Sequence, residues 1–166
     1  MILLCYDGSD DAKAAIGEAS KLLRGQKATV LTVWQPFAEV LASTTLGWGI
    51  APGVLDIDQT DEASREAAHR LAAEGAELAR QAGFDAESRE STQLNTIANA
   101  ILDEAEELEA TAIVMGSRGL TGIKSLLLGS VSHAVLQRAD RTVIVVPSPA
   151  VASSRKRRHD RSPGSR

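Results

Sequence analysis

The sequence predicts a doubly wound α/β fold, a parallel sheet with helices on both faces. Three observations predict it. Short apolar runs rich in β-branched residues recur along the chain. These runs are continuous rather than alternating, as strands covered on both faces require. Segments with helical spacing separate them, and strands alternating with helices imply right-handed crossovers.

The first run, Ile2 to Tyr6, reads as a strand that ends at Asp7-Gly8-Ser9. A helix follows over Asp10 to Leu23, with Ala14, Ala15, Ala19, Leu22 and Leu23 on one stripe. Ser9 is its expected N-cap, and Asp10 and Asp11 favour its first turn through the helix dipole. Ala28 to Trp34 is the second strand. Pro36 to Asp58 is longer than most strand-to-helix connections and carries Gly47, Trp48, Gly49, Pro52 and Gly53. It reads either as a lid over a site or as an insertion packing Leu41, Leu46, Trp48 and Ile50 on the surface or on a dimer partner.

Glu62 to Gln81 is an Ala/Glu/Arg-rich helix that Gly83 ends. Phe84 to Ser91 is charged enough to be an edge strand. Thr96 to Leu108 repeats the helical pattern through Ile97, Ala98, Ile101, Leu102, Ala105 and Leu108. Ala112 to Met115 is a buried strand, Ser130 to Ala139 a helix, and Thr142 to Val146 the last strand. In doubly wound sheets ligands bind at the carboxyl ends of the strands, at the topological switch point. Function is therefore sought in Asp7 to Ser9 and in the residues after Met115.

Composition bounds the partners. The 166 residues, 43% hydrophobic and 24% charged, suit one soluble domain. An aromatic fraction of 3% argues against a stacking platform for single-stranded nucleic acid. The net charge of −4 divides unevenly: from Ser153 to Arg166 six basic residues face one acid, which leaves the rest of the chain at −9. We expect a domain over residues 1–147 and a disordered basic tail over 148–166, of Ser/Pro/Gly/Arg composition. The run Arg155-Lys156-Arg157-Arg158 is an unspecific signal for nucleic acid or anionic membrane, and the acidic body would repel the same partners. A solvated tail is favoured. The single cysteine, Cys5, forms no internal disulfide and reads as a small core residue. The absence of a basic leader and of long apolar runs leads us to expect a cytoplasmic protein without a membrane span. His69, His133 and His159 are scattered without metal-site spacing, and His133 reads as a surface or loop-packing residue.

The most informative stretch runs from Met115 through Gly116-Ser117-Arg118-Gly119 to Gly129-Ser130-Val131-Ser132-His133. It leaves a buried strand, passes glycines and two cations, Arg118 and Lys124, and enters a helix. Glycines allow close approach of backbone N–H groups, and a helix N-terminus supplies unpaired donors with a favourable dipole. Those are the parts of a phosphate site, although glycines in such a loop are also ordinary turn formers. The glycine and lysine positions fit neither a Walker A loop nor the dinucleotide fingerprint.

Gly116, two residues, Gly119, nine residues, then Gly129-Ser130 resembles the G-2x-G-9x-G-(S/T) motif of the universal stress protein family, in its ATP-binding branch. Tyr6-Asp7-Gly8-Ser9 is similar to the family's Asp-Gly-Ser start, and Leu31-Thr32-Val33 sits where a Leu-His-Val second strand is usual. The resemblance spans Met1 to Pro147. It implies a five-stranded α/β sheet of order 3-2-1-4-5, the adenine nucleotide alpha-hydrolase-like arrangement, with ATP at the carboxyl edge. On matching positions, Asp7 would contact adenosine, and Val33 and Met115 would border adenine. Gly116, Ser117, Arg118 and Gly119 would wrap ribose and phosphates, and Gly129, Ser130, Val131 and Ser132 would bind phosphate oxygens. Magnesium commonly accompanies the phosphates.

The chain departs from the family pattern at Thr111-Ala112, at Arg141-Thr142 and in Ser91 to Asn95, all of them connections. The resemblance also implies a homodimer formed through the last strand, Thr142 to Val146, which would cover an apolar edge. Read without the loop, Asp7 would serve a local turn or cap instead. Three functions are consistent with these residues: an ATP-binding stress-response regulator, a slow ATP hydrolase, or a dimeric interaction module without ligand. No general base is evident near the loop, which disfavours strong turnover, and the intact glycines disfavour the empty module.

Overall fold

The computed structural model of the protein describes residues 1–37, 57–92, 95–120, 128–148 and 152–153. Most of the Pro36 to Asp58 segment, the loop residues Gly122 and Lys124, and the basic run of the tail lie outside the described residues.

Five parallel strands form one sheet in the order β3-β2-β1-β4-β5. They are β1 (Ile2–Cys5), β2 (Lys27–Trp34), β3 (Asp85–Thr92), β4 (Ala112–Gly116) and β5 (Thr142–Val146). Four helices join them: α1 (Asp10–Leu23), α2 (Ile57–Gln81), α3 (Ile97–Glu107) and α4 (Ser130–Arg138). The fold class and the strand order are those expected. Strand order reverses between β1 and β4, so the switch point lies between the loops that leave these two strands.

β1 and β4 are apolar throughout, and β2 is apolar but for Lys27 and the buried Thr29 and Thr32, because each face meets a helix layer. On one face Ile2, Leu4, Val30 and Val114 pack with Ala12, Ala15, Ile16 and Ala19 of α1 and Ala76 and Ala79 of α2. On the other, Leu3, Leu31, Ile113 and Met115 pack with Ala98, Ile101 and Ala105 of α3 and Val135 of α4. Burying a Leu, Ile or Val side chain stabilises the fold by roughly 1.5–3 kcal/mol relative to leaving it exposed. The alanine stripes let the helices lie close to the sheet. At Gly75 the approach is close: a Cβ there would lie 2.7 Å from the Tyr6 ring and 2.8 Å from Val30.

Two details differ from expectation. Leu22 is 75% exposed, and Ile16 takes its place on the buried stripe. Leu22 sits in the last turn of α1 and to one side of the line through Ala12, Ile16, Ala19 and Leu23. Helix α2 begins at Ile57, five residues ahead of Glu62, because its first turn is polar and apolar periodicity does not report it. Ser9 caps α1 as expected, its Oγ accepting from Ala12 N at 3.2 Å. Past α2, Gly83 takes φ +97°, a left-handed conformation that glycine adopts without steric cost. Strand β3 is an edge with no fully buried residue, paired only with β2.

The end of β1 carries two groups that resist ionisation. Burial, and then the Asp7 carboxylate, push the Cys5 thiol up to about 12 from 9.0. Burial also raises the Tyr6 phenol, and the hydroxyl donates to Glu74 Oε1 at 2.6 Å. In the unfolded chain the thiol deprotonates near its ordinary 9.0, while the folded protein keeps the proton to about 12. The unfolded state therefore binds fewer protons across this window, and stability falls as pH rises, by at most about 1.4 kcal/mol per pH unit per group. We expect the denaturant midpoint to decline from pH 8.5 to pH 11 and the Cys5→Ala variant to decline less steeply. Equal slopes for the two proteins would contradict this.

Candidate functional site

The site is built where β1 and β4 end side by side. Beyond β1 the chain turns sharply at Gly8, which takes φ +80°, and enters α1 through Ser9. The Asp7 carboxylate accepts from Ser9 N through Oδ1 at 3.0 Å, so the local turn role open to it is realised. That bond engages one oxygen only. Asp7 Oδ2 lies 2.6 Å from where a Cβ on Gly119 would stand. Gly119 thus has no room for a side chain while Asp7 keeps this position.

A cavity of ≈ 320 Å³ opens between the two loops, lined by Gly8, Ser9, Asp10, Asp11, Arg118, Gly119 and Leu120. Its position is the switch point of the sheet. Leu120 is 74% exposed at its rim.

Beneath the cavity α1 touches the end of β4. A Cβ on Gly116 would lie 2.7 Å from the Asp11 carbonyl carbon and 2.9 Å from Ala12 N. Such distances to backbone atoms are incompatible with a side chain, so Gly116 sets how closely helix and strand approach. The approach brings the buried Asp11 carboxylate onto the β4 loop, where Ser117 Oγ donates to Asp11 Oδ2 at 2.7 Å. Arg118 Nε is 3.8 Å from the same oxygen, and both side chains are largely buried.

The α4 end of the loop is knitted to the same segment. Gly129 N donates to Ser117 O at 2.8 Å, and Ser132 Oγ donates to Ser117 O at 2.9 Å and to Gly129 O at 3.1 Å. Gly129 is the N-cap of α4 and supplies no side-chain cap. The first-turn N–H groups of Ser130, Val131 and Ser132 therefore lack the side-chain acceptor that usually covers a helix start. Ser130 is exposed there, whereas Ser132 is buried.

Of the residues singled out in the sequence, Arg118 and Gly119 line the cavity, and Asp7 stands beside Gly119. Gly116 and Ser117 support its floor, and Gly129 to Ser132 form the adjoining helix start. Met115 is buried and Val33 partly buried in the core layer on the α3 and α4 side, and neither lines the cavity among the described residues. Asp11 was missed as anything beyond a first-turn acid. The signal was present: Asp11, Ala15 and Ala19 share one buried stripe at four-residue spacing, and a carboxylate on such a stripe needs a partner. His69 is exposed, 3.1 Å from Glu90, and His133 is exposed. Among the described residues no cluster of three or more His, Cys, Asp or Glu could hold a metal ion, and no helix is long and apolar enough to cross a membrane.

Comparison with known proteins agrees with this architecture. The model of the Universal stress protein family matches residues 1–147. The universal stress protein YxiE of Bacillus subtilis is 32% identical over 147 residues, covering 87% of this chain and 97% of that protein. A universal stress protein from Archaeoglobus fulgidus, solved in complex with dAMP, aligns with a TM-score of 0.57 at 22% identity, over 87% of this chain and 95% of its own. Another universal stress protein, solved in complex with cAMP, aligns with a TM-score of 0.58 at 23% identity, over 89% of this chain and 95% of its own.

The two motif glycines at either end of the loop differ in the room they leave. Gly116→Ala sets a methyl against helix backbone, and we expect it to cost about 1–3 kcal/mol as an overpacked contact. At Gly129, with φ −71°, an added Cβ approaches no described residue closer than 3.4 Å. Gly129→Ala should cost no more than about 1 kcal/mol, the usual loss on placing alanine at an N-cap. Urea denaturation of the two variants would measure both, and equal losses would refute the assignment of Gly116 to close packing.

Proposed function

The chain belongs to the universal stress protein family, and from that premise we propose that it is a regulatory member of the ATP-binding branch, with adenine nucleotide held at the carboxyl edge between β1 and β4. The observation that carries this reading is the cavity at the switch point, where the loop after β1 brings Asp7 beside Gly119 of the loop after β4, with a helix start that has no side-chain cap at Gly129 near it. The dAMP and cAMP complexes of two relatives of the same fold support an adenine ligand. Asp7 Oδ2, the oxygen not used in the turn, contacts the adenosine moiety. Val33 and Met115 border the base, and Gly116 to Gly119 wrap the ribose and phosphates. The N–H groups of Ser130, Val131 and Ser132 receive phosphate oxygens, for which a helix N-terminus is suited.

Magnesium, where it accompanies ATP, would be carried on the phosphates, whose charge it screens. The protein works in the cytoplasm as a homodimer through β5, whose Val143, Ile144 and Val145 are only partly buried in one protomer. Residues 1–147 form the functional domain, and the basic tail stands outside it. Asp7 and Asp11 beside the cavity are engaged locally, by Ser9 N and by Ser117 Oγ, and on this reading the nucleotide acts as a regulatory ligand rather than as a substrate turned over rapidly.

Calorimetry of the purified protein with ATP tests the site. Wild type should bind, and Gly129→Val, which sets a branched side chain where phosphate must approach backbone, should weaken binding on the order of 100-fold while lowering the thermal midpoint by only about a few degrees, so that the protein is folded at the assay temperature. Equal ATP affinity in the two proteins would exclude this loop as the site. In the same samples ATP should stay intact over hours; rapid release of phosphate would establish the hydrolase instead.

A further inference from the structure

Arg118 is the only cation lining the cavity among the described residues, and it is not free. Its Nε lies 3.8 Å from Asp11 Oδ2, with the Arg118 side chain 14% and the Asp11 side chain 9% exposed. Ser117 Oγ, fully buried, donates to the same carboxylate oxygen at 2.7 Å and fixes it in place. Asp10 and Asp11 line the cavity beside Arg118, and Asp7 stands next to Gly119. The charged groups described around the space thus comprise three carboxylates and one guanidinium, a negative balance at a place proposed to receive phosphate.

Resting on the adenine nucleotide reading, we propose that Asp11 is a specificity-determining residue that limits how many phosphate charges this site accepts, by holding Arg118 and by setting a fixed negative charge on the cavity wall. A phosphate that recruits Arg118 competes with Asp11 for the guanidinium. Each further ionised oxygen on the ligand meets the Asp11 charge at short range in a partly buried setting, where it is weakly screened. The penalty grows with ligand charge: absent for adenosine, small for AMP and largest for ATP. Asp11 is itself a positioning residue with respect to Arg118, because it sets the direction from which the guanidinium can meet a phosphate.

Two features make the arrangement specific to this geometry. Asp11 reaches the β4 loop only because Gly116 lets the first turn of α1 lie against the strand end, 2.7 Å from where a Cβ would be. Ser117 ties the carboxylate down through a hydroxyl that has no solvent access, so Asp11 cannot swing away to relieve the repulsion. The substitution Asp11→Asn keeps an oxygen that can accept from Ser117 and removes the charge, turning the other oxygen into an amide donor.

The test is calorimetry of the full chain with adenosine, AMP, ADP and ATP, for wild type, Asp11→Asn, Arg118→Gln and the double variant. Asp11→Asn should tighten ATP by at least about fivefold, ADP by less, and leave adenosine within about twofold, the ordering a Coulomb interaction dictates. Arg118→Gln should weaken ATP more than AMP. In the double variant the gain from Asp11→Asn should shrink, as coupled neighbours require. A common factor for all four ligands, or ATP unchanged in Asp11→Asn, overturns the role given to Asp11 while leaving nucleotide binding intact. Should Asp11→Asn fail to fold, Arg118→Gln decides alone, since equal losses for AMP and ATP would overturn the proposal. Wild-type protein that binds none of the four removes the nucleotide reading and this inference with it.

Discussion

The contact on which the site depends is the one between the first turn of α1 and the end of β4. A helix axis ordinarily keeps its distance from a strand because side chains intervene, but Gly116 has none, and a Cβ there would lie within 3 Å of Asp11 and Ala12 backbone atoms. That approach puts Asp11 in reach of Ser117 and Arg118 and brings the loops after β1 and β4 together as the walls of one cavity. In the general plan of a doubly wound sheet the switch point leaves a crevice because consecutive crossovers depart in opposite directions. Here the crevice is narrowed and lined by the absence of a side chain at one position.

Much of this was legible in the sequence for a simple physical reason. Strands covered on both faces must be apolar throughout, so β1, β2, β4 and β5 announce themselves without alternation, and β3 betrays its place at the edge through Glu87, Arg89 and Glu90. The start and cap of α1 follow from Ser9, whose hydroxyl satisfies a free N–H. What the pattern did not report are features set by distant partners. The polar first turn of α2 carries no apolar period, so its start at Ile57 was invisible. The contact of Gly75 with Tyr6 and the Tyr6 to Glu74 hydrogen bond join segments 68 residues apart in the chain. Strand order came from resemblance, because periodicity identifies strands and not their neighbours.

The candidate site divides along the same line. The loop glycines were evident, and with them the helix start at Gly129. The structure separates their physical roles, with Gly116 a packing residue, Gly119 a neighbour of the Asp7 carboxylate, and Gly129 a helix cap without a side chain. Asp11 escaped notice because a first-turn acid already has a sufficient local explanation in the helix dipole. Only its place on the buried stripe with Ala15 and Ala19 hinted that it faces inward. Ser117, which the resemblance places among the residues wrapping ribose and phosphates, is fully buried and spends its hydroxyl on Asp11.

These bonds change how the charge of the site should be understood. Read as a list of residues, a loop with glycines and an arginine suggests a positive surface waiting for phosphate. In three dimensions the arginine is already engaged by a carboxylate, and two further carboxylates stand close by. On the proposed reading, the attraction for an anion among the described residues would rest on oriented N–H groups, which carry partial charges fixed by the fold, more than on Arg118. Backbone donors discriminate by position, since they act only where the helix start points, whereas a mobile cation attracts any anion that diffuses near it. A strongly acidic body can therefore recognise an anionic ligand without becoming a general anion binder, provided that the few donors it offers converge on one place.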